Sequence, residues 1–180
     1  MKKIAVVALD PLAGDSYTKE VRDLFGEYAE VVGYNVRDGS AAGVLPRADL
    51  FAISTDAYGS AEEVARHVPI DSQIMSIEVT FYWETLKKLC EIPKGTKVLF
   101  VNVTSNMARE AITQLSSLGV NHLQFIPYYP GAVLEEPVDI AVTPGESRFV
   151  PPSVKTVIDC DHRPCSYGMM VEIALRLGLE

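Results

Sequence analysis

Residues 96–120, "TKVLFVNVTSNMAREAITQLSSLGV", contain the signals of a strand, a turn and a helix in immediate succession. The run 97–103 is almost wholly apolar, which is typical of a strand buried on both faces of a parallel sheet. Hydroxyl and amide residues then interrupt it. Apolar residues return at helical spacing, at Met107, Ala108, Ala111, Ile112, Leu115 and Leu118. Gly119 is a typical residue to end that helix. The stretch therefore predicts one strand-helix unit of a parallel sheet.

An earlier stretch, "ADLFAISTDAYGSAEEVARHV" (residues 48–68), repeats this arrangement with different residues. Its helix begins with a capping box, in which the side chains of Ser60 and Glu63 each accept a hydrogen bond from the other residue's backbone. Because the two stretches share a pattern and few identities, we interpret them as a structural repeat.

The remaining segments extend the alternation of strands and helices. Strands are predicted over 4–9, 30–36, 50–54, 73–79, 97–103, 122–126, 138–142 and 154–159. A helix capped by Asp15 or Ser16 follows the first strand, and another covers about 80–90. The last helix, over about 164–177, is predicted to bury Tyr167, Met170, Val171, Ala174 and Leu175.

We therefore predict an α/β protein made of two tandem three-layer α/β/α lobes, each with a four-stranded parallel sheet and right-handed crossovers. The first lobe spans 1–79, a linking helix and turn span 80–95, and the second lobe spans 96–163. Residues 164–180 form a C-terminal helix that can pack back on the first lobe. A single eight-stranded sheet is the alternative.

Composition excludes several classes of protein. The net charge of −8 and the scarcity of basic clusters argue against direct nucleic-acid binding. No apolar run approaches the roughly 20 residues of a membrane helix, and residues 2–10 are too short an apolar segment for a signal peptide. Three cysteines without paired spacing fit a reducing compartment. We expect a cytoplasmic protein that does not bind membranes.

In open parallel sheets, ligands bind outside the carboxyl ends of the strands. The loops predicted there, 9–16, 54–60, 102–106, 127–131 and 143–147, are rich in hydroxyl, amide, Gly, Pro and Tyr residues. Helix N-termini beneath them suit a small polar or anionic ligand, although the same side chains can simply cap helices. The predicted ligand-binding residues are Asp10, Thr55, Asp56, Thr104, Ser105, Asn106, Tyr128, Tyr129, Thr143 and Gly145. One metabolite is expected to bridge the two lobes.

Catalytic signatures are scarce in the sequence. It has no phosphate loop, no dinucleotide fingerprint and no nucleophile elbow. "CDHRPC" (residues 160–165) places two cysteines close together, but no second Cys/His cluster completes a zinc site. We therefore predict no catalytic residue, no metal and no cofactor. Asp10, Asp56, Asp159 and Asp161 follow strands and leave an acid-base site open.

The order of "KKIAVVALD", "ADLFAISTDAYGSAEEV", "IPKGTKVLFVNVTSNMAREAITQL", "LGVNHLQFIPYYPGA" and "DIAVTPGESRFVP" resembles the N-terminal sensory domain of sigma-54-dependent transcriptional activators of the propionate-catabolism regulator type. The resemblance covers nearly the whole chain. It implies chelatase-like topology, signal sensing through a small-molecule effector, and no enzyme chemistry. It also implies downstream ATPase and DNA-binding domains in a longer chain, and it leaves a homodimer open.

Three other functions stay open from the residues. One is a two-lobed α/β enzyme that acts on a small polar metabolite. Another is a receiver-like phosphoacceptor domain with Asp56 as the acceptor, although only Asp10 follows the first strand where receivers carry an acidic pair. The third is an oligomerisation module without a ligand.

Overall fold

The computed structural model describes residues 1–54 and 60–179, which contain eight β-strands and five α-helices. The strands are β1 (Lys2–Ala8), β2 (Ala29–Asn35), β3 (Leu50–Ile53), β4 (Ile74–Ser76), β5 (Lys97–Val101), β6 (Gln124–Tyr128), β7 (Ile140–Thr143) and β8 (Thr156–Asp159). The helices are α1 (Pro11–Phe25), α2 (Ser60–Ala65), α3 (Trp83–Cys90), α4 (Ser105–Ser117) and α5 (Tyr167–Leu177). The capping box predicted at Ser60 involves a side chain outside those described.

The strands form two four-stranded sheets in which all neighbours are parallel, in the orders β2-β1-β3-β4 and β6-β5-β7-β8. This confirms the predicted α/β fold with two sheets and excludes one eight-stranded sheet. The chain divides into two compact units. The first contains Met1–Val79 and Pro164–Glu180, and the second contains Thr80–Arg163. Helix α5 therefore belongs to the first unit and α3 to the second.

The sheet of the first unit has an apolar core on each face. Ile4 and Val6 of β1 pack with α1 and α5, whereas Ala5 and Val7 face the opposite core, which includes Val64 of α2. All four β1 side chains are at most 1% exposed. Alternate residues of a strand point to opposite faces, so burial on both sides requires the continuous apolar run seen in the sequence.

The second sheet is covered differently on its two faces. Phe100 of β5 packs with α3 and α4, in a core that includes Leu89 and Leu115. Leu99 and Val101 face the other side, where Val138, Val150 and the 3-10 turn Ser147–Phe149 cover the sheet. Within the described residues, that second face is covered by connecting segments rather than by an α-helix.

The N-cap of helix α1 lies five residues before Asp15, so the predicted cap at Asp15 or Ser16 was wrong. Asp10 is the N-cap, and its Oδ1 accepts a hydrogen bond from the Leu12 backbone N at 3.0 Å. Pro11 takes the first helical position, where the missing N–H costs nothing. Residues 11–16, predicted as a ligand loop, are thus the first turns of a helix.

The predicted buried face of α5 was also wrong. Met169, Ile173 and Leu177 are the buried residues of this helix. Tyr167, Val171 and Leu175 are 89%, 57% and 76% exposed, and Met170 and Ala174 are only partly buried. Apolar residues lie on both sides of α5, so their spacing alone could not determine which side meets the core.

Helix α4 agrees with its prediction except at Leu118, which is 44% exposed and caps the end of the helix. Ala108, Ala111 and Leu115 are buried, and Gly119 follows the helix with φ +95°. Over the ranges 1–54 and 60–179, no helix has both the length and the hydropathy required to cross a membrane.

Candidate functional site

The carboxyl ends of the second sheet gather polar residues at one edge. Strands β5, β6, β7 and β8 are parallel, so the residues that follow them lie along the same side of the sheet. The chain adds β6 on one side of β5 and then β7 and β8 on the other. Ligands in open α/β sheets bind where the order reverses in this way. In the second unit that point lies between β5 and β7.

Two buried polar residues occupy this point. Phe100 pairs with Val142, so Thr143 at the end of β7 lies beside Val101 at the end of β5, and Asn102 follows directly. Asn102 is 3% exposed and Thr143 is 0% exposed. Burial of a polar side chain is unfavourable unless it forms hydrogen bonds. We therefore expect Asn102 and Thr143 each to have hydrogen-bond partners.

The hydrogen bonds of Asn102 use only part of its capacity. Its Oδ1 accepts from the Val103 backbone N at 2.8 Å, and its backbone N donates to the Tyr128 carbonyl at 3.0 Å. Its Nδ2 donates to no residue that the structure describes. Thr143 Oγ1 accepts from the Glu146 backbone N at 3.0 Å. Asn102 was missed as a site residue, although its position directly after an apolar run was a usable signal.

The start of α4 lies directly beyond Asn102. Thr104 is the N-cap, and its Oγ1 accepts from the Met107 backbone N at 3.2 Å. Ser105 and Asn106 follow in the first turn, where backbone N–H groups have no intrahelical acceptor and the helix carries a partial positive charge. Arg109 Nε lies 3.2 Å from Ser105 Oγ and adds a cation one turn further on.

The loop after β7 is held in place by Asp159, which the sequence analysis considered as a possible acid or base. Asp159 Oδ1 accepts from the backbone N atoms of Gly145 and Asp161, each at 2.9 Å. Its Oδ2 accepts from Ser147 Oγ at 2.6 Å. Gly145 has φ +84°, which favours glycine, so this predicted site residue shapes the loop through its backbone.

The two predicted tyrosines follow one another at the end of β6. Tyr128 is half-buried and packs beside the core that contains Leu99 and Val101. Tyr129 is also half-buried, and its carbonyl accepts from the Ala132 backbone N at 2.9 Å. Tyr128 therefore supports the edge of the sheet, next to Asn102.

In the first unit, Asp10 contacts local partners with both carboxylate oxygens. Oδ1 caps α1, and Oδ2 accepts from Arg37 Nη1 at 3.0 Å. Ser54 is buried directly after β3, at the point where the order of the first sheet reverses. Thr55 and Asp56 lie outside the described residues, so a ligand shared by the two repeated loops stays a prediction.

The residues of "CDHRPC" do not meet in one cluster. Cys160 packs in the core of the second unit, and Cys165 packs in a core of the first. Burial raises the pKa of both thiols to about 12. Among residues 1–54 and 60–179, no three His, Cys, Asp or Glu side chains are placed to hold a metal ion.

Fold and site together define an α/β protein with two parallel sheets and, in its second unit, a polar cluster where the strand order reverses. No protein family model matches the sequence, and it matches no curated protein and no solved structure.

Proposed function

We propose that this chain is a signal-sensing, small-molecule-binding domain of a sigma-54-dependent transcriptional activator. The observation that carries the ligand-binding part is that two buried polar residues, Asn102 and Thr143, lie at the reversal point of the second sheet. The regulatory class rests on the sequence resemblance. In this proposal the effector occupies the loops of the second unit and the downstream domains respond to it.

The chemistry of the cluster supports recognition of a polar ligand. Asn102 Nδ2 offers a donor, Thr104 offers a hydroxyl group, and the first turn of α4 offers backbone N–H groups, while the buried Thr143 hydroxyl holds the Glu146 backbone N of the loop after β7. Amide and hydroxyl groups fix the orientation of a bound molecule without changing their charge near neutral pH. A sensor needs such binding, because an effector shifts a conformational equilibrium only through contacts that differ between the two states.

Thr143 offers a matched pair of variants for the test. Thr143→Val removes the hydroxyl while nearly keeping the volume, and Thr143→Ser keeps the hydroxyl. A panel of small organic acids, amino acids and nucleotides is screened by thermal denaturation of the wild-type chain. A ligand stabilises the fold by mass action, so the rise in Tm reports its affinity.

We expect at least one compound to raise the Tm of the wild type and of Thr143→Ser, with a much smaller rise for Thr143→Val. Each rise is measured from that variant's own Tm without ligand, which separates binding from stability. Equal rises in Tm for all three proteins would show that the Thr143 hydroxyl plays no part in ligand binding. Steady-state turnover of a stabilising compound would assign the chain to the enzymes instead.

A further inference from the structure

The chain passes between its two units twice, and the two passages run side by side. It leaves the first unit after Val79 and returns to it after Arg163. Val79 and Cys165 form an isolated antiparallel β-bridge within the first unit. The Ser166 backbone N donates to the Glu78 carbonyl at 2.8 Å, as the neighbouring pair of such a bridge should. On the first unit's side of the crossing, the two passages therefore form a short antiparallel ribbon.

The same antiparallel register continues on the second unit's side. Counted on from the bridge, it pairs Phe81 with Arg163. It then pairs Tyr82 with His162. The Arg163 guanidinium lies over the Phe81 ring, 4.7 Å from its centroid, within the range of a cation-π interaction. Tyr82 Oη lies 3.4 Å from His162 Nε2. Side-chain contacts between register partners therefore hold the two passages together in the second unit.

The ribbon is anchored in each unit by a helix. In the first unit, the Cys165 backbone N donates to Oε2 of Glu20 in α1 at 2.8 Å. In the second, Arg163 pairs with both carboxylate oxygens of Glu110 in α4, at 2.6 and 3.2 Å, and also donates to Gln114 Oε1. The Arg163 side chain is only 10% exposed, and a two-point ion pair fixes its orientation. Bending of the ribbon is therefore confined to the residues between the two anchors.

Thr80 and Pro164 are the register pair between those anchors. Pairs that exchange backbone hydrogen bonds alternate along an antiparallel ladder. Ser166 and Glu78 are one such pair, so the next is Thr80 with Pro164. Proline has no N–H, so Pro164 cannot donate to the Thr80 carbonyl. The ladder therefore lacks one of its hydrogen bonds at the point where the chain crosses between the units.

We propose that Thr80 and Pro164 form a two-stranded hinge about which the two units turn. Hinges are usually a few residues at the ends of elements that absorb changes in φ and ψ. Thr80 is free to absorb such changes. Pro164 has a fixed φ and restricts Arg163 before it to extended conformations, so the second passage is the stiffer one. The register held on both sides limits the motion to bending of the ribbon.

Arg163 also connects this hinge to α4. Its partners Glu110 and Gln114 lie further along the helix that begins after Thr104, which belongs to the proposed effector loops. A ligand that moves α4 would therefore also move the residue next to Pro164. This link to the effector rests on the proposed function, whereas the hinge itself does not.

Distances between spin labels test the hinge in the folded chain. One label is attached to the exposed Cys90 of the second unit, and the other to Asp23→Cys on α1 of the first. Cys160 and Cys165 are buried and should stay unlabelled. The control pair, Cys90 with Thr113→Cys, lies within the second unit. We expect a broader distance distribution between the units than within one. Equal widths would overturn the hinge.

Thr80→Gly should broaden the distribution between the units further, because glycine frees φ and ψ at the bend. Ser153→Gly is the matched control, since Ser153 lies in an exposed turn of the second unit, and it should leave the distribution unchanged. If both variants changed the distribution equally, or neither changed it, the bend would not lie at Thr80.

Arg163→Met should also broaden the distribution, because the ribbon loses its anchor on α4. Arg163→Lys keeps the charge but not the two-point pairing, so it should act in the same direction. The control is Arg66→Met, which removes an exposed ion pair with Glu63 and should have no effect. Far-UV circular dichroism and Tm check that each variant is folded. A distribution unchanged in both Arg163 variants would show that Arg163 does not anchor the hinge. None of these measurements uses an effector, so a failed hinge and a failed effector site are told apart.

Discussion

A Cβ atom on Gly14 would lie 1.9 Å from Oδ1 of Asn35 and 2.9 Å from the Cβ of Ala8. Asn35 cannot easily move away, because it is 4% exposed and its Nδ2 donates to Asp15 and Asp38, each at 3.3 Å. Helix α1 therefore lies against β1 and β2 at a distance that only glycine permits.

Gly14→Ala should lower the free energy of unfolding by about 1–3 kcal/mol, the usual cost of an overpacked core. Gly168→Ala is the control in another helix, because its added Cβ would meet only Ser166 Oγ at 3.9 Å. That change should stabilise the chain by about 0.5–1 kcal/mol through helix propensity. Urea unfolding measures both. If both variants changed the free energy of unfolding by the same amount and in the same direction, the close approach of α1 to β1 and β2 would be contradicted.

Thr104→Ala should lower stability by about 1 kcal/mol, because the Met107 backbone N loses its cap. Thr104→Ser retains the hydroxyl and should stay close to the wild type. If Thr104 also contacts the effector, Thr104→Ala should reduce the thermal shift produced by that compound. A stability unchanged in Thr104→Ala would show that the cap contributes nothing.

Asp159→Ala should release the loop after β7, since three donors lose their acceptor. We expect a loss of about 1–3 kcal/mol in unfolding free energy and faster amide exchange at Gly145. The control is Asp139→Ala, which removes an exposed ion pair with Lys155 at 3.0 Å and should cost at most about 1 kcal/mol. Equal losses of unfolding free energy for Asp159→Ala and Asp139→Ala would show that Asp159 does not anchor the loop.

The cysteines should differ sharply in reactivity. Cys90 is exposed, whereas burial raises the pKa of Cys160 and Cys165 to about 12. A thiol reagent at pH 8 should modify Cys90 rapidly and Cys160 and Cys165 only in denaturant.

The two buried thiols should also make stability depend on pH. Because these thiols ionise near pH 9 in the unfolded chain, their contribution to the free energy of unfolding is complete below pH 9 and is lost as pH rises toward 12. Cys160→Ala should flatten that part of the stability curve. Rapid modification of all three native thiols would contradict their burial.

Much of the fold was already specified by local sequence. The strand at 97–103 and the helix that ends before Gly119 were predicted because burial on both faces requires an apolar run and a left-handed C-terminal residue favours glycine. The start of α1 was missed although its signal is local: Asp10 followed by Pro11 is a good N-cap and first position. Gly14 there was taken as a loop residue, when it serves close helix packing.

The candidate site was predictable only in outline. Parallel strands place their following residues at one edge, so Thr104 and Thr143 could be assigned to it in advance. Asn102 was not distinguished, because its significance comes from burial beside β7 and from an Nδ2 that finds no partner in the described residues. Asp159 likewise became a loop anchor only when β8 placed it beside Gly145 and Ser147.

The sequence by itself determined that β5 and α4 form, because propensity, capping and apolar spacing act between residues a few positions apart. It could not determine which side of α5 is buried, since Val171 and Ile173 have similar hydrophobicity and lie on different sides of the helix. Tertiary structure decided that question. The core of the first unit, formed by residues distant in sequence such as Val21 and Leu50, accepts Ile173 and leaves Val171 exposed.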